Sequence, residues 1–377
     1  MDKMNTALKK KSLEESLSGH TAQVIESEGK VETIKPVRES NIMDAFMVHE
    51  MLVNLSSGFT PSFRKNKSMR EKFVCGEHKF TPLLTPMELS AFSTLVVAQN
   101  IDEGKRFYEL DLTLSRLVQH SYNCGHNNFK FDFLGTFKEP LAFSFLKGRK
   151  DNPLVLSAQG DFSKDSFSFL ENSILNLKGK FEHSTAKSSK NCVFFIEGDT
   201  CAYLGSGAKD SIFHLKSNTG INLGNGSSNS SYFLDGDFGN YVGTSAKNSL
   251  FVLKGNGGSL GPHDVNNPSV SCQFYVEGDI PGDVGLGAKS SLYHIKGNVG
   301  GSMMICAKES TLYLNGESEK IPSFIGNNST FITPNKSLLE KCVNSSEAYN
   351  SKWKLRSGKI IFQNSKGEFE LVRDYSE

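Results

Sequence analysis

A short repeat fills the middle of the chain and restricts it to very few folds. Each unit ends in two alternating apolar positions, one outward polar position and a glycine. The glycines are Gly160, Gly179, Gly198, Gly236, Gly255, Gly278, Gly297 and Gly316, with Ser217 in the place of one more. Successive units are 19 residues apart, except for one spacing of 23. A fixed period of this length, without a helical pattern inside the unit, predicts a β-solenoid.

The positions two and four residues before the repeat glycine are apolar in most units. Phe213 with Leu215 and Phe251 with Leu253 are two examples. Residues two apart in a strand share one face, so we expect these pairs to stack into a continuous core. A serine, replaced by Cys192 in one unit, recurs six positions before the glycine and is expected at a tight inward corner.

The position directly before the repeat glycine alternates in charge. It is occupied in order by Lys178, Glu197, Lys216, Asp235, Lys254, Glu277 and Lys296. Parallel strands lie about 4.8 Å apart, so stacked like charges would repel, whereas alternating charges form exposed ion pairs. Because a slip by one unit would set like against like, the alternation is expected to help fix the register.

The one long unit carries its extra residues within Gly261–Ser269. An insertion in a solenoid projects as a loop from one face, and such loops often carry binding contacts. His263 and Asp264 are therefore the candidate residues of a binding loop. A tolerated surface bulge is the alternative interpretation.

Three glycine-punctuated stretches, TGINLGNGSSNS, GDFGNYVGTSAKNS and GDIPGDVGLGAKSS, resemble the GXGXG β-helix. That domain forms the C-terminal part of the glutamate synthase large subunit and one of the subunits of formylmethanofuran dehydrogenase. The resemblance covers residues 150–333 and implies a right-handed β-helix that braces neighbouring catalytic domains without being the catalyst. The catalytic segments of those enzymes are not found in this sequence, so the resemblance assigns no catalytic residue.

The sequence before the repeat divides into two parts. Residues 1–40 are polar and charge-rich, which predicts a disordered or loosely helical tail. Residues 41–128 predict an α-helical domain, in which a basic loop at Arg64–Arg70 precedes a capping box at Thr85–Glu88.

Residues 129–335 are assigned to the solenoid and residues 336–377 to its C-terminal cap. Alternating phenylalanines at Phe129–Phe133 predict the first strand, and Pro140–Gly148 predicts a second. The cap is expected to contain a short helix and a β meander. The fold class is therefore mainly β, a parallel solenoid between a small helical domain and a short meander.

One group of residues in the helical domain has the chemistry of metal ligands. Cys75 and His78 are spaced C-x-x-H, and Cys124 and His126 are spaced C-x-H. Two cysteines and two histidines could close a tetrahedral zinc site. Isolated core cysteines and surface histidines are the alternative. Zinc is the only cofactor that the sequence suggests.

Charge and cysteine usage narrow the classes of partner. A net charge of +1, from 42 basic and 41 acidic residues, gives no electrostatic drive toward nucleic acid or an anionic membrane. The opening residues hold no apolar run, so we expect neither a signal peptide nor a membrane-spanning helix. Seven scattered cysteines favour reduced thiols in a cytoplasm over a disulfide framework.

These features favour a non-catalytic structural or interaction scaffold, with a protein partner or further copies of the chain. The alternative is an enzyme or enzyme subunit with a site on the solenoid face or at the helical junction, for which His214, His294 and Asp237 are further candidates. A zinc-containing binding module is a third possibility. The sequence leaves the question of catalysis open and favours its absence.

Overall fold

The computed structural model describes residues 67–76, 81, 83–99, 107–133, 142–262, 264–320, 328–348 and 358–374. The protein is mainly β. A 13-stranded sheet, parallel except for its last pair of strands, forms a β-solenoid of about nine turns. Helices precede the solenoid and an antiparallel hairpin follows it. The fold class predicted from the repeat is therefore confirmed.

The helices before the solenoid are α1 (Lys67–Cys75), α2 (Pro86–Gln99) and α3 (Phe107–Asn123). The first strands are β1 (Asn128–Asp132), β2 (Leu154–Phe162), β3 (Ser173–Phe181), β4 (Val193–Glu197), β5 (Ile212–Leu215) and β6 (Ser231–Leu234). The later strands are β7 (Leu250–Leu253), β8 (Gln273–Val276), β9 (Leu292–Ile295), β10 (Thr311–Leu314) and β11 (Ser329–Thr333). The chain then forms α4 (Lys336–Ala348), β12 (Gly358–Gln363) and β13 (Phe369–Asp374).

Successive coils pair in the register that the repeat predicts. Phe213 on β5 pairs with Tyr232 on β6, and Tyr232 pairs with Phe251 on β7. From Phe194 to Tyr293 the rings of this inward column stack with centroids 4.7–4.9 Å apart and interplanar angles of 3–5°. Angles this small mean that each coil lies over the next with almost no rotation, so this part of the sheet is flat.

A buried serine column ties the coils together at the inward corner. The hydroxyl of Ser249 accepts a hydrogen bond from the Ser230 amide at 3.3 Å and donates to the Lys247 carbonyl at 2.9 Å. Cys192 and also Cys272 occupy serine positions, and their thiols donate to carbonyls two residues earlier. The predicted corner is confirmed, and its hydroxyls satisfy backbone groups that would otherwise be buried without partners.

The residue before each serine has left-handed backbone geometry, with φ between 47° and 59°. These residues are Asn172, Asn191, Asp210, Asn229, Asn248, Ser271, Ser290, Glu309 and Asn328. Asn and Asp tolerate this conformation better than most residues. Their side chains also join neighbouring coils, because the Asn229 amide donates to Asp210 Oδ1 at 3.1 Å.

Helix α3 covers the N-terminal edge of the solenoid and replaces a missing strand. Its side chains hydrogen-bond the backbone of the extended segment 142–149, which pairs with no preceding coil among the described residues. Asp111 accepts from the Ala142 amide at 2.8 Å, Ser115 accepts from the Ser144 amide at 3.1 Å, and Gln119 bonds both the amide and the carbonyl of Lys147. An open edge that would invite pairing with another chain is thereby closed.

Two local predictions in this region are wrong and one is confirmed. The stretch predicted as a basic loop becomes helix α1 from Lys67 onward, because Val74 is buried and packs this short element into the core. Within Pro140–Gly148 the described residues form isolated bridges at Ser144 and Lys147 and no continuous strand. The capping box is present, since the Thr85 amide donates to Glu88 Oε2 at 2.8 Å.

The C-terminal end is closed by α4 and the hairpin. Asn335 caps α4 through its side chain, which accepts from the Leu338 amide at 3.2 Å, and Leu338 is buried. Strand β12 continues the parallel sheet beside β11, and β13 returns antiparallel to it. The part of the predicted meander around Trp353 lies outside the described residues, as do the tail 1–40 and residues 41–66 of the predicted helical domain.

Candidate interaction face and corner groove

The outward side of the sheet presents an aromatic column that the individual units of the repeat do not reveal. This column is formed by the residue three positions before the repeat glycine in each coil from β4 to β10. The residues are Phe195, His214, Phe233, Val252, Tyr275, His294 and Tyr313, so that β7 alone contributes an aliphatic side chain. We call these side chains the aromatic stripe. Phe195 is 43% exposed and Tyr275 is 36% exposed.

Rings of the aromatic stripe stack on one another and show their edges to solvent. The centroids of Phe195 and His214 are 5.0 Å apart at 6°, and those of His214 and Phe233 are 5.1 Å apart at 12°. Because these three rings cover one another's faces, few faces in this part of the stripe are free to stack on a planar ligand or a sugar. Farther along, the ring plane of His294 differs from that of Tyr275 by 60° and from that of Tyr313 by 69°. The stripe is suited to packing against another apolar surface.

Two further columns border the aromatic stripe. On one side lie the outward residues five positions before the glycine, which we call the aliphatic column after its members Val193, Ile212, Leu250 and Leu292; its other members are Ser231, Gln273 and Thr311. Ile212 is 39% exposed. On the other side lies the alternating charge column. The apolar width is therefore two columns in four of these seven coils, or about 7 Å along the strands.

Two of the six neighbouring pairs that the alternation predicts in the charge column form ion pairs. Lys254 Nζ lies 2.7 Å from Asp235 Oδ1, and Lys296 Nζ lies 2.9 Å from Glu277 Oε1. The hydrogen bond to Lys296, and then its charge, lower the pKa of the Glu277 carboxyl, while the hydrogen bond to Asp235 raises the pKa of Lys254. These side chains remain more than half exposed, so each pair is open to solvent and to salt.

The column directly after the repeat glycine consists mainly of Asp and Asn side chains. Their oxygens already accept hydrogen bonds from backbone amides of the neighbouring coil. Oδ1 of Asp237 accepts from the Asn256 amide at 2.8 Å, and Oδ1 of Asn218 accepts from the Asp237 amide at 2.8 Å. Asp237, a candidate catalytic residue from the sequence, therefore serves as one rung of a structural ladder. His214 and His294, the other candidates, both lie in the aromatic stripe, where they are separated by Phe233, Val252 and Tyr275.

His294 is the stripe residue whose protonation is most clearly affected by its surroundings. Its ring lies 4.6 Å from that of Tyr313 and 6.0 Å from that of Tyr275, between centroids. Partial burial between these rings, and then the nearby charge of Lys296, lower the pKa of His294. The neutral imidazole is therefore favoured on this face.

A groove of about 690 Å³ lies at the corner after the first repeat glycines. It forms where β2 and β3 continue through the corner, whereas later strands end before it. Its lining includes Asp161, Lys180, Asp199, Glu182 and Cys201. Asp161 and Lys180 are register partners on β2 and β3. The repeat pattern carries no signal for the groove, because the groove depends on strand length.

Glycine is required at this corner by close packing of the backbone. A Cβ on Gly179 would lie 1.7 Å from the carbonyl oxygen of Gly160, and one on Gly198 would lie 1.7 Å from that of Gly179. Each of the three also has φ between 138° and 144°. No side chain fits between these coils, so the groove floor is backbone.

The residues of the predicted zinc site are only partly described. The Cys75 thiol donates to the Phe145 carbonyl at 2.9 Å, and burial raises its pKa to about 11. A zinc ligand would have to give up that proton and that bond. Cys124 is exposed at the turn after α3, and His78 lies outside the described residues. Among the side chains that the structure describes, no group of three metal-binding residues comes together. The zinc site stays a prediction.

The inserted loop lies where the sequence places it. Val242 pairs with Leu260 and Lys247 pairs with Val270, so one coil takes more residues than its neighbour between the same two bridges. Asp264 Oδ1 accepts from the backbone amide and the side chain of Asn266, at 3.0 and 2.8 Å. His263 lies outside the described residues, and the binding role of the loop stays a prediction.

Comparison with known proteins gives no match: no family model, no curated protein and no solved structure matches this chain. The likeness to the GXGXG β-helix therefore stays a prediction. Within the described residues, no helix is both long and apolar enough to cross a bilayer.

Proposed function

We propose that this chain is a non-catalytic scaffold whose outward sheet face docks a protein. The aromatic stripe is the observation that carries the proposal. A column of rings and aliphatic side chains in partial contact with water is a costly surface to leave uncovered, since apolar burial is worth roughly 25 cal/mol per Å². Exposed Phe195, Ile212 and Tyr275 lie on this one face.

The rest of the fold supports this role. Stacked rings and the serine column hold the coils in fixed register, so successive side chains within each outer column are presented at a constant spacing of about 4.8 Å. Helix α3 covers one end of the stack, and α4 with the hairpin covers the other. The hairpin itself leaves Phe369 and Leu371 of β13 59% exposed, so association through this hairpin is the competitor of association through the side of the solenoid.

The test is the size of the native protein in extracts of its own cells. A scaffold is expected to migrate well above the chain mass of 41.5 kDa. Replacing Phe195 and Tyr275 with Asp should return it to the mass of a single chain. The matched control is Ile221→Asp, because Ile221 is 41% exposed but lies at a corner away from the stripe. A wild-type protein that migrates as a single chain would contradict the proposal.

The corner groove supports a second candidate function, the binding of a small polar molecule. Its volume of about 690 Å³ lies within the range of ligand sites, and its lining carries acids, the base Lys180 and the thiol of Cys201. Mass spectrometry of the purified native protein tests this idea. A bound metabolite that is lost in Lys180→Ala supports it, whereas protein without any bound molecule removes it.

A further inference from the structure

We infer that the partner of the outward face is a second copy of this chain, packed face to face with its coils running in the opposite direction. This inference rests on the proposed docking function and names its partner. It comes from the order of charges beside the aromatic stripe. That order is self-complementary in one arrangement of two copies.

Consider two outer faces related by a two-fold axis that runs along the strand direction. This rotation sets each column over the same column of the second copy and reverses the order of the coils. The aromatic stripe then meets the aromatic stripe, the aliphatic column meets the aliphatic column, and the charge column meets the charge column. The aromatic stripe is thereby buried against a second aromatic stripe, as the apolar core of an interface requires.

The alternating charges decide where the axis passes. If it crosses a strand, every residue of the charge column meets a residue of its own sign. If it passes between two strands, every residue meets the opposite sign. With the axis between β6 and β7, Asp235 faces Lys254 of the second copy, and Glu197 faces Lys296 of the second copy. The same pairs repeat on the other side of the axis, as a two-fold interface requires.

This position of the axis also centres the exposed apolar side chains. Phe195 faces His294 of the second copy, and His214 faces Tyr275 of the second copy. In the aliphatic column, Ile212, at 39% exposure, faces Gln273 of the second copy, and Val193 faces Leu292 of the second copy. The flatness of the sheet permits the match over six strands, because the inward rings from Phe194 to Tyr293 differ by only 3–5° between adjacent coils. A strongly twisted sheet would lose contact after two or three strands.

The alternative two-fold, along the solenoid axis, is less favourable. It would set the charge column of each copy over the aliphatic column of the other, so that Lys216 would lie over Ile212 of the second copy. Charged groups would then lose water without gaining a partner. Among side-by-side arrangements, the charge order therefore selects the antiparallel one.

The area of contact is sufficient but small. Six strands spaced about 4.8 Å apart, each contributing about five residues at 3.3 Å, give roughly 500 Å² on each copy. Two copies together bury on the order of 1,000 Å², the lower end of specific interfaces. A reversible dimer whose population depends on concentration is expected, with ion pairs at its edge that weaken in salt.

The experiment is a charge swap between two variants of the full-length purified protein. Glu197→Lys alone sets two lysine side chains against each other at both ends of the interface, because the new lysine faces Lys296 of the second copy. Lys296→Glu alone sets two glutamates against each other, because the new glutamate faces Glu197 of the second copy. Each variant should raise the dissociation constant of the dimer about tenfold or more. In an equimolar mixture the two variants meet opposite charges at both ends, so a mixed dimer should form with nearly wild-type affinity.

Sedimentation equilibrium of the mixture, with one variant fluorescently labelled, measures the mixed dimer. Lys254→Glu in place of Lys296→Glu is the matched control and should not restore association with Glu197→Lys. Restoration by this control would overturn the stated position of the axis. Single variants that associate like the wild type would overturn the interface. Circular dichroism confirms that each variant is folded, which is expected because these side chains are exposed.

A wild-type protein that is monomeric at all concentrations would overturn this inference but not the proposed function. In that case a native assembly that still depends on Phe195 and Tyr275 would mean that the outer face binds a different protein. If the protein in extracts of its own cells is also monomeric, the proposed function and this inference are both overturned.

Discussion

Lys254 and Asp235 lie one coil apart, with Nζ and Oδ1 separated by 2.7 Å. The pair results from the alternation of charge along the column, which is visible in the sequence. It lies beside the aromatic stripe, whose exposure is not visible in the sequence. Both columns depend on coils that repeat in register. That register, the groups that maintain it and the face that it creates can each be tested by substitution or deletion.

Ser249→Ala is expected to destabilise the protein by about 1–3 kcal/mol. The substitution leaves the buried Ser230 amide without its acceptor, whereas the Lys247 carbonyl keeps the hydrogen bond from the Asn229 amide. Ser231→Ala, at a neighbouring outward position, is the control and should change stability by less than about 0.5 kcal/mol. Urea denaturation followed by circular dichroism measures both. Equal effects of the two substitutions would mean that the serine column does not hold the coils.

Gly179→Ala is expected to be much more damaging than Gly226→Ala. At Gly179 the new Cβ would lie 1.7 Å from the Gly160 carbonyl oxygen, so the coils must separate, and a loss of at least about 3 kcal/mol follows. At Gly226 no atom lies within 4 Å of such a Cβ, and only the left-handed backbone costs about 1 kcal/mol. Thermal unfolding of the two variants tests the difference. Similar melting temperatures would contradict the close packing at this corner.

Stability should fall as the pH drops below about 6.5, and His294 should account for part of the fall. Its pKa is lowered in the folded state by burial between Tyr275 and Tyr313 and by the charge of Lys296. The unfolded chain therefore takes up the proton first, and stability increases with pH between the folded and unfolded pKa values. His120, whose pKa is also lowered by burial and by Arg116, adds a contribution of the same sign.

The free energy of unfolding at about pH 7.5 and about pH 5 provides the measurement. His294→Gln should show a smaller loss between these two values than the wild type. The lowered pKa of Glu277 contributes stability that is lost only at lower pH, as the pH falls through its folded-state pKa. An unchanged pH dependence in His294→Gln would show that this histidine is not buried on the outer face.

Deleting residues 199–236 should leave a folded protein. This removes two whole coils and joins Gly198 to Asp237, so every column continues across the junction. The charge column keeps its alternation, because Glu197 then neighbours Lys254. Deleting residues 199–226 instead interrupts a coil in its middle and should abolish folding. Far-UV circular dichroism and the cooperativity of unfolding distinguish the two. Equally poor folding of both variants would contradict the independence of whole coils.

The sequence was sufficient to predict the solenoid because its period is fixed by covalent spacing. Gly160 and Gly179 stand in register in the sheet as they do in the aligned repeat. The serine corner and the capping box at Thr85 also follow from local chemistry that acts within a few residues. In each case the residues that form the contact are either neighbours in the sequence or are separated by the repeat length.

Other features depend on contacts that no local pattern encodes. Helix α1 is a helix because Val74 packs into the core, although its mixture of basic residues is typical of a loop. The segment after Pro140 pairs with no preceding coil among the described residues and takes hydrogen bonds from Asp111, Ser115 and Gln119 of α3. The aromatic stripe is hard to recognise in the sequence, because each unit contributes only one residue to it and two of these residues are histidines. Alignment of the units on the outward position reveals it.

Small-angle X-ray scattering of the full-length protein tests the central claim most directly, namely that the outer face holds two copies side by side. The forward intensity should rise with concentration toward twice the chain mass of 41.5 kDa. The cross-sectional radius should increase while the length of the particle stays nearly constant, and the Phe195→Asp, Tyr275→Asp variant should retain the smaller cross-section. A particle that doubles in length would instead indicate contact through β13, where Phe369 and Leu371 are each 59% exposed. That result, or a mass that stays at one chain, would contradict the side-by-side arrangement.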